Sequence, residues 1–194
     1  MTAAKAVLKG VARGFAVVAV FPCALLSGFG RLHPVFQFFS EGLSLFPGLP
    51  GSYLRVAYYK MTLRRFSFSN YVGLGSFFAH AEASVGQHVG IGAYCILGYV
   101  DIGDHALIAD RVQILSGRRQ HRRDANGNLT DEGRRFSEIS IGAQCWIGAA
   151  SIVMASVGRG ATVMPGSVIT FRIPEGAVAG SDPAKVVREQ MEAS

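Results

Sequence analysis

From Val72 onward an aliphatic residue recurs every six positions, usually with glycine next and a small residue four places on. The run is Val85-Gly86 with Val89, Ile91-Gly92 with Cys95, Ile102-Gly103 with Ala106, Ile108-Ala109 with Val112, and Ile114. After a gap it resumes with Ile141-Gly142 and Cys145, Ile147-Gly148 and Ser151, Val157-Gly158 and Ala161, Val163 and Ser167, and Ile169. Gly98 and Ser156 mark slips of the register. Six is neither a helical period nor the period of a simple strand. It suits a chain that bends at every sixth residue, with a short flat strand between bends. Three such faces close one triangular coil of about 18 residues, and coils stack into a prism. The aliphatic residue then points into a dry column. The residue four later faces inward at a corner and must be small, so Cys95 and Cys145 read as small buried hydrophobes. The glycine after the aliphatic residue is expected to take the bend, where a positive φ is cheap without a Cβ. The span Val72 to Ala179, less the gap, has room for about five coils. A sandwich of ordinary short strands with glycine-rich turns is the competing architecture.

Between Gly117 and Ile139 the rhythm stops. The segment RRQHRRDANGNLTDEGRRFSE is polar and contains an Asn-Gly turn signal. A break of this kind is a loop leaving the prism, expected over 117–138, and long loops in compact domains tend to carry function. Arg118, Arg119, Arg122, Arg123, Arg134 and Arg135 crowd it, accompanied by Asp124, Asp131, Glu132 and Glu138. The arginines suit a clamp on anionic groups, or a solvated loop of mutually paired charges.

The chain before the repeat is different. Gly14 to Gly30 carries no charge, which is at the lower limit for a helix that spans a bilayer. Pro22 lies in its middle and should kink or break a helix. Lys5, Lys9 and Arg13 precede the stretch and Arg31 follows it. Basic flanks on both sides fit a helix that lies on one leaflet, or dips into it and returns, better than a single span. A cleaved leader and a pair of ordinary buried helices are the other two readings.

Charge sharpens this division. The 194 residues carry a formal +6. Met1 to Ser69 holds eight basic residues against Glu41, a net +7, and the remainder is −1. The repeat region is therefore near neutral, and nucleic-acid binding is not expected of it. The three cysteines (Cys23, Cys95, Cys145) have neither disulfide-framework nor zinc-site spacing. Three parts follow: 1–68, apolar, basic and membrane-associated; 69–180, the coils; and 181–194, a tail with a short helix.

The repeats, the Cys145-Trp146-Ile147-Gly148 step and the closing run IPEGAVAGSDPAKVVRE resemble the hexapeptide-repeat acyltransferases. The closest likeness is to their sugar and antibiotic O-acetyltransferase branch, which includes the maltose and galactoside enzymes. It covers roughly Ser69 to Glu189. It implies a left-handed parallel β-helix, homotrimers with sites at the subunit seams, acetyl-CoA as donor and no metal. By the same resemblance His121, after the ILSG step, is the base that takes the acceptor's hydroxyl proton. Imidazole suits that task near neutral pH. The donor would be held by Trp146, Gly148, Ala149, Pro165 and Thr170, with Lys185 and Arg188 on its phosphates. Phe171 stands where the family has a lysine, so Arg172 is expected to substitute, and Asp182 stands where it has asparagine. His80 is a weaker candidate for holding the acceptor; His33, His88 and His105 carry less still. The expected activity is O-acetylation of a carbohydrate, a membrane-linked glycan or polysaccharide precursor, on the cytoplasmic side of the inner membrane. A small hydroxyl compound such as an antibiotic or amino acid, and a non-catalytic scaffold, are the alternatives.

Overall fold

The computed structural model describes residues 3–117, 122–124, 126–130, 136–180 and 185–188. Its main body is a left-handed parallel β-helix. The first coil comprises β1 (Tyr71–Val72), β2 (Phe77–Phe78) and β3 (Ser84–Val85). The second comprises β4 (Gly90–Ile91), β5 (Ile96–Leu97) and β6 (Val100–Ile102). The third begins with β7 (Leu107–Ile108) and β8 (Gln113–Ile114). It then leaves through a hairpin, β9 (Arg122–Arg123) with β10 (Leu129–Thr130), and returns as β11 (Ile139–Ile141). The fourth has β12 (Trp146–Ile147) and β13 (Ile152–Val153), the fifth β14 (Thr162–Val163) and β15 (Val168–Ile169). Single bridges at Val157 and Ile173 supply the third face of those two coils. A last strand, β16 (Val178–Gly180), begins a sixth turn.

Each face is a parallel ladder with one rung per coil. Face 1 stacks β1, β4, β7, β12, β14 and β16; face 2 stacks β2, β5, β8, β13 and β15; face 3 stacks β3, β6 and β11. Arg65 bridges Ser84 and already forms a rung of face 3. The inner columns are Val72, Ile91, Ile108, Ile147 and Val163 on face 1, and Leu97, Ile114, Val153 and Ile169 on face 2 with Phe78 at its first rung, all buried. Burying each such side chain contributes roughly 1.5–3 kcal/mol. The small corner residues are buried too, and several donate to the neighbouring coil. Cys145 Sγ lies 2.9 Å from the Gly158 carbonyl, and Ser76 Oγ donates to the Gly92 carbonyl at 2.6 Å.

The glycines of the repeat do a different job from the one expected. Positive φ falls two residues later, at His88, Tyr94, His105, Arg111, Gln144 and Ala150. The glycine itself is required by stacking. A Cβ on Gly158 would sit 2.5 Å from the Glu175 amide nitrogen, and one on Gly142 would sit 2.6 Å from Arg159 Cα. The corner from face 2 to face 3 is irregular: the step is seven residues from Phe78 to Val85, five from Leu97 to Ile102 and four from Val153 to Val157. Gly98 and Ser156 lie there, at the slips seen in the sequence.

Three helices cap the first coil: α1 (Ala3–Leu26), α2 (His33–Ser44) and α3 (Gly48–Thr62). Pro22 does not end α1, which runs on to Leu26. Only one turn follows the proline, so a single lost backbone bond near the helix end is tolerated. α1 buries a narrow stripe, Ala16, Val20 and Ala24, and exposes Val7, Leu8, Val11, Phe15 and Val18. Its segment Val7–Leu26 is long and apolar enough to cross a membrane by length and composition alone.

At the other end the expected short helix is replaced, over Lys185–Arg188, by a strand β17 antiparallel to β16. Val186 and Val187 are β-branched and favour strand, and the last rung of face 1 offers an open edge.

Candidate functional site

The excursion leaves the prism where face 2 turns to face 3 in the third coil. Its two ends are pinned together, since the Ser137 amide donates to the Ser116 carbonyl at 2.9 Å. Ser116 Oγ accepts from the Tyr99 amide one coil below. Within the excursion, Asp124 accepts first from the Asn128 amide and then from the Asn126 amide, and those bonds hold its carboxyl below the usual range. His121 lies outside the described residues. Gly117 precedes its segment and strand β9 follows it directly.

The returning limb crosses toward the first coil. Phe136 packs on His80 with ring centroids 4.7 Å apart. His80 also faces Tyr99 at 6.5 Å and His33, the first residue of α2, at 5.4 Å. The limb is fastened by Arg64, whose guanidinium meets Glu138 at 2.5 Å and donates to Ser84 Oγ at 2.7 Å. The result is a shelf of rings below the excursion, built by the cap, the first two coils and the loop. Burial, and next the neighbouring His33, lower the pKa of His80, so its neutral form is favoured. Tyr99, Phe136 and Arg64 were not singled out in the sequence. The register slip at Gly98-Tyr99 was the one available signal, because a trimmed corner pulls its residues toward the loop base.

The donor-side candidates separate into two groups. Gly148, Ala149 and Pro165 share the corner from face 1 to face 2. The Gly166 amide donates to the Ala149 carbonyl at 2.8 Å, and Pro165 crowds Gly148. Trp146, 43% exposed, lies on face 1 beside them. Lys185 pairs with Gly180 above the same corner. Thr170 and Arg172 instead follow β15, on the corner from which the excursion leaves two coils earlier. Arg172 lines a cavity of about 360 Å³ on face 3 with Arg159 and Glu175. The backbone of Arg188 pairs with Val178, at the opposite end of β16 from Lys185. Among the described residues, no group of three or more His, Cys, Asp or Glu is placed to hold a metal. Burial raises the Cys95 and Cys145 thiols, as befits corner packing rather than chemistry.

Comparison with known proteins gives this arrangement a class. The family described as the hexapeptide repeat of succinyl-transferase matches residues 138–170. The galactoside O-acetyltransferase of Escherichia coli (strain K12) is 33% identical over 94 residues, which are 46% of this chain and 44% of that protein. The chain thus spans less than half the length of this curated relative. A hexapeptide-repeat-containing acetyltransferase from Vibrio cholerae superposes with a TM-score of 0.68 at 18% identity, over 82% of this chain and 93% of that one. A maltose O-acetyltransferase from Clostridium difficile gives 0.67 at 20%, over 84% and 90%. A galactoside acetyltransferase in complex with coenzyme A gives 0.62 at 21%, over 82% of each chain. The fold is that of the hexapeptide-repeat acetyltransferases, and residues 138–170 carry the family's repeat.

Proposed function

We propose that this chain is an O-acetyltransferase that moves the acetyl group of acetyl-CoA to a hydroxyl of a carbohydrate. The observation that carries the reading is the excursion between Gly117 and Ile139, the one long break in an otherwise regular stack, with His121 on it and a ring shelf at its base. Aromatic and imidazole faces suit the apolar faces of a sugar ring. His121 takes the hydroxyl proton as the oxygen attacks the thioester carbonyl. The C–S bond breaks, and coenzyme A leaves as its thiol.

The split of the donor candidates supports a trimer. Gly148, Ala149, Pro165 and Lys185 stand at one corner, while the excursion stands at the next. A three-fold assembly sets one copy's excursion against its neighbour's face 1–face 2 corner, and a long thin cofactor fits such a seam. There Trp146 flanks the arm and Lys185 and Arg188 serve the phosphates, with Thr170 and Arg172 on the excursion side.

The exposed apolar face of α1, beside the basic residues of 1–68, supports attachment to the cytoplasmic face of the inner membrane and a membrane-linked glycan as acceptor. The relatives named above act on galactosides and maltose by their names, which supports the sugar class. Replacing His121 by alanine tests the chemistry. Turnover should fall by at least about 100-fold with coenzyme A binding retained. Unchanged turnover removes His121 from the mechanism and returns the chain to the scaffold reading.

A further inference from the structure

A cavity of about 380 Å³ opens where the first half of α1 passes over α3 and the edge of the first coil. Lys9 and Arg13 line it with Ser52, Tyr53 and Tyr71. The two cations are four residues apart on one helix face, as a pair directed at one ligand must be. Arg13 spends one Nη2 bond on the Phe68 carbonyl at 2.8 Å, while its Nε is buried with no partner. A buried guanidinium nitrogen left unmet is costly. A guanidinium and an ammonium lining one chamber suit the oxygens of a phosphate.

Next to this cavity runs an apolar groove of about 470 Å³, lined by Leu8, Phe15, Leu49, Pro50 and Tyr53. Leu49 and Tyr53 line both spaces, so the two adjoin. Leu8 and Phe15 also belong to the exposed apolar face of α1. A basic polar chamber beside an apolar groove that reaches a helix's apolar face matches the chemistry of an amphiphile with an anionic head. From this geometry we infer a binding site for a lipid with an anionic phosphate headgroup. The phosphate sits between Lys9 and Arg13, and one acyl chain lies along the groove toward the leaflet. The inference rests on the membrane reading of α1 and deepens it. It turns a general attraction of positive charge to anionic lipid into a stoichiometric site.

The test uses the whole protein and dihexanoylphosphatidic acid below its micellar concentration, titrated calorimetrically. Dihexanoylphosphatidylcholine and inorganic phosphate are the comparison ligands. Saturable one-to-one binding is expected for the phosphatidic acid, at least about tenfold tighter than for either comparison ligand. Arg13→Gln and Lys9→Gln should each weaken it about tenfold, whereas Arg31→Gln, which removes the same charge elsewhere, should leave it unchanged. Leu49→Gln should weaken the lipid and leave inorganic phosphate as it was. Lys9 is exposed, so its variant reports even if the Arg13 variant fails to fold. Absence of saturable binding overturns the site. So does phosphate binding as tightly as the lipid, or an equal loss in Arg31→Gln. Flotation with vesicles is the separate measurement for the membrane reading. Flotation that persists in Lys9→Gln with no preference for anionic lipid keeps that reading and discards the site. Failure of the native protein to float discards membrane attachment, whatever the titration gives.

Discussion

The coil stack repeats one contact many times, whereas the helical cap is joined to it by a few contacts that occur once each. In the stack, the rungs offer the same kinds of contact over and over: an apolar residue in the column, a small corner residue, and at many steps a glycine against which the neighbouring backbone lies. In the cap, attachment falls to particular side chains. Arg55 is buried and donates to the Val72 carbonyl of the first coil and to the Leu43, Ser44 and Phe46 carbonyls. It thereby satisfies the C-terminal end of α2, where the helix dipole favours a cation. Ser40 donates to the Phe78 carbonyl at 2.9 Å and bonds the Tyr59 hydroxyl, and the Tyr59 ring meets Phe78 edge-on at 4.9 Å. A repeated contact is visible as a pattern. A unique contact is visible only once the chain has folded.

Glycine gives the sharpest way to break this contrast, because one substitution should act with opposite sign in the two regions. Gly142→Ala drives a Cβ against the Arg159 backbone, which cannot swing aside as a side chain can. Stability should fall by about 3 kcal/mol, read as the urea midpoint. Gly14→Ala adds a methyl where nothing lies within 4 Å, in mid-helix, and should raise stability by up to about 1 kcal/mol. Equal effects at the two positions would mean that the stack is looser than its geometry states.

Arg55→Met tests the cap. Four carbonyls lose a charged donor, and about 2 kcal/mol should be lost. Arg55→Lys should recover little, because an ammonium cannot reach α2 and β1 together with one planar fork. Hydrogen exchange should quicken in α2 and α3 and leave the rungs beyond the second coil unchanged. Equal quickening throughout the prism would erase the distinction between a unique anchor and a repeated one.

The same contrast explains what could be read from the sequence. The aliphatic columns, the five coils, the small buried cysteines and the excursion all follow from spacing, because spacing is what a stack repeats. The reason for the glycines did not follow. Close stacking and positive φ both select glycine, and the residues that actually take φ > 0, such as Tyr94 and Gln144, carry no such mark. Nothing in the sequence sets Arg55 apart between Leu54 and Val56, since its partners are backbone carbonyls that no side-chain pattern records. Lys185 to Arg188 reads as a short helix until the open edge of β16 is available to pair with it. The ring shelf was half visible: His80 stood out as an imidazole, but Tyr99, Phe136 and His33 meet it from three separate parts of the chain.

His80 supplies the smallest predicted effect, at a place where a titrating group of one region meets one of the other. It is half-buried, and burial and then His33 from the cap lower its pKa below the usual 6.5, with Glu82 opposing. A histidine depressed by folding binds fewer protons in the native state than in the unfolded one. Its neutral form imposes no penalty above the unfolded pKa, and stability is lost as pH falls through about 6.5 toward the native value. The Tm should therefore decline between about pH 7 and pH 5 more steeply in the native protein than in His80→Gln. In His33→Gln the decline should be intermediate, because burial remains while the neighbouring imidazole is gone. A His33→Gln profile as flat as that of His80→Gln would make the cap, and not burial in the coil corner, the main source of the shift. A profile identical to the native one would mean that the two imidazoles do not sense each other across the joint.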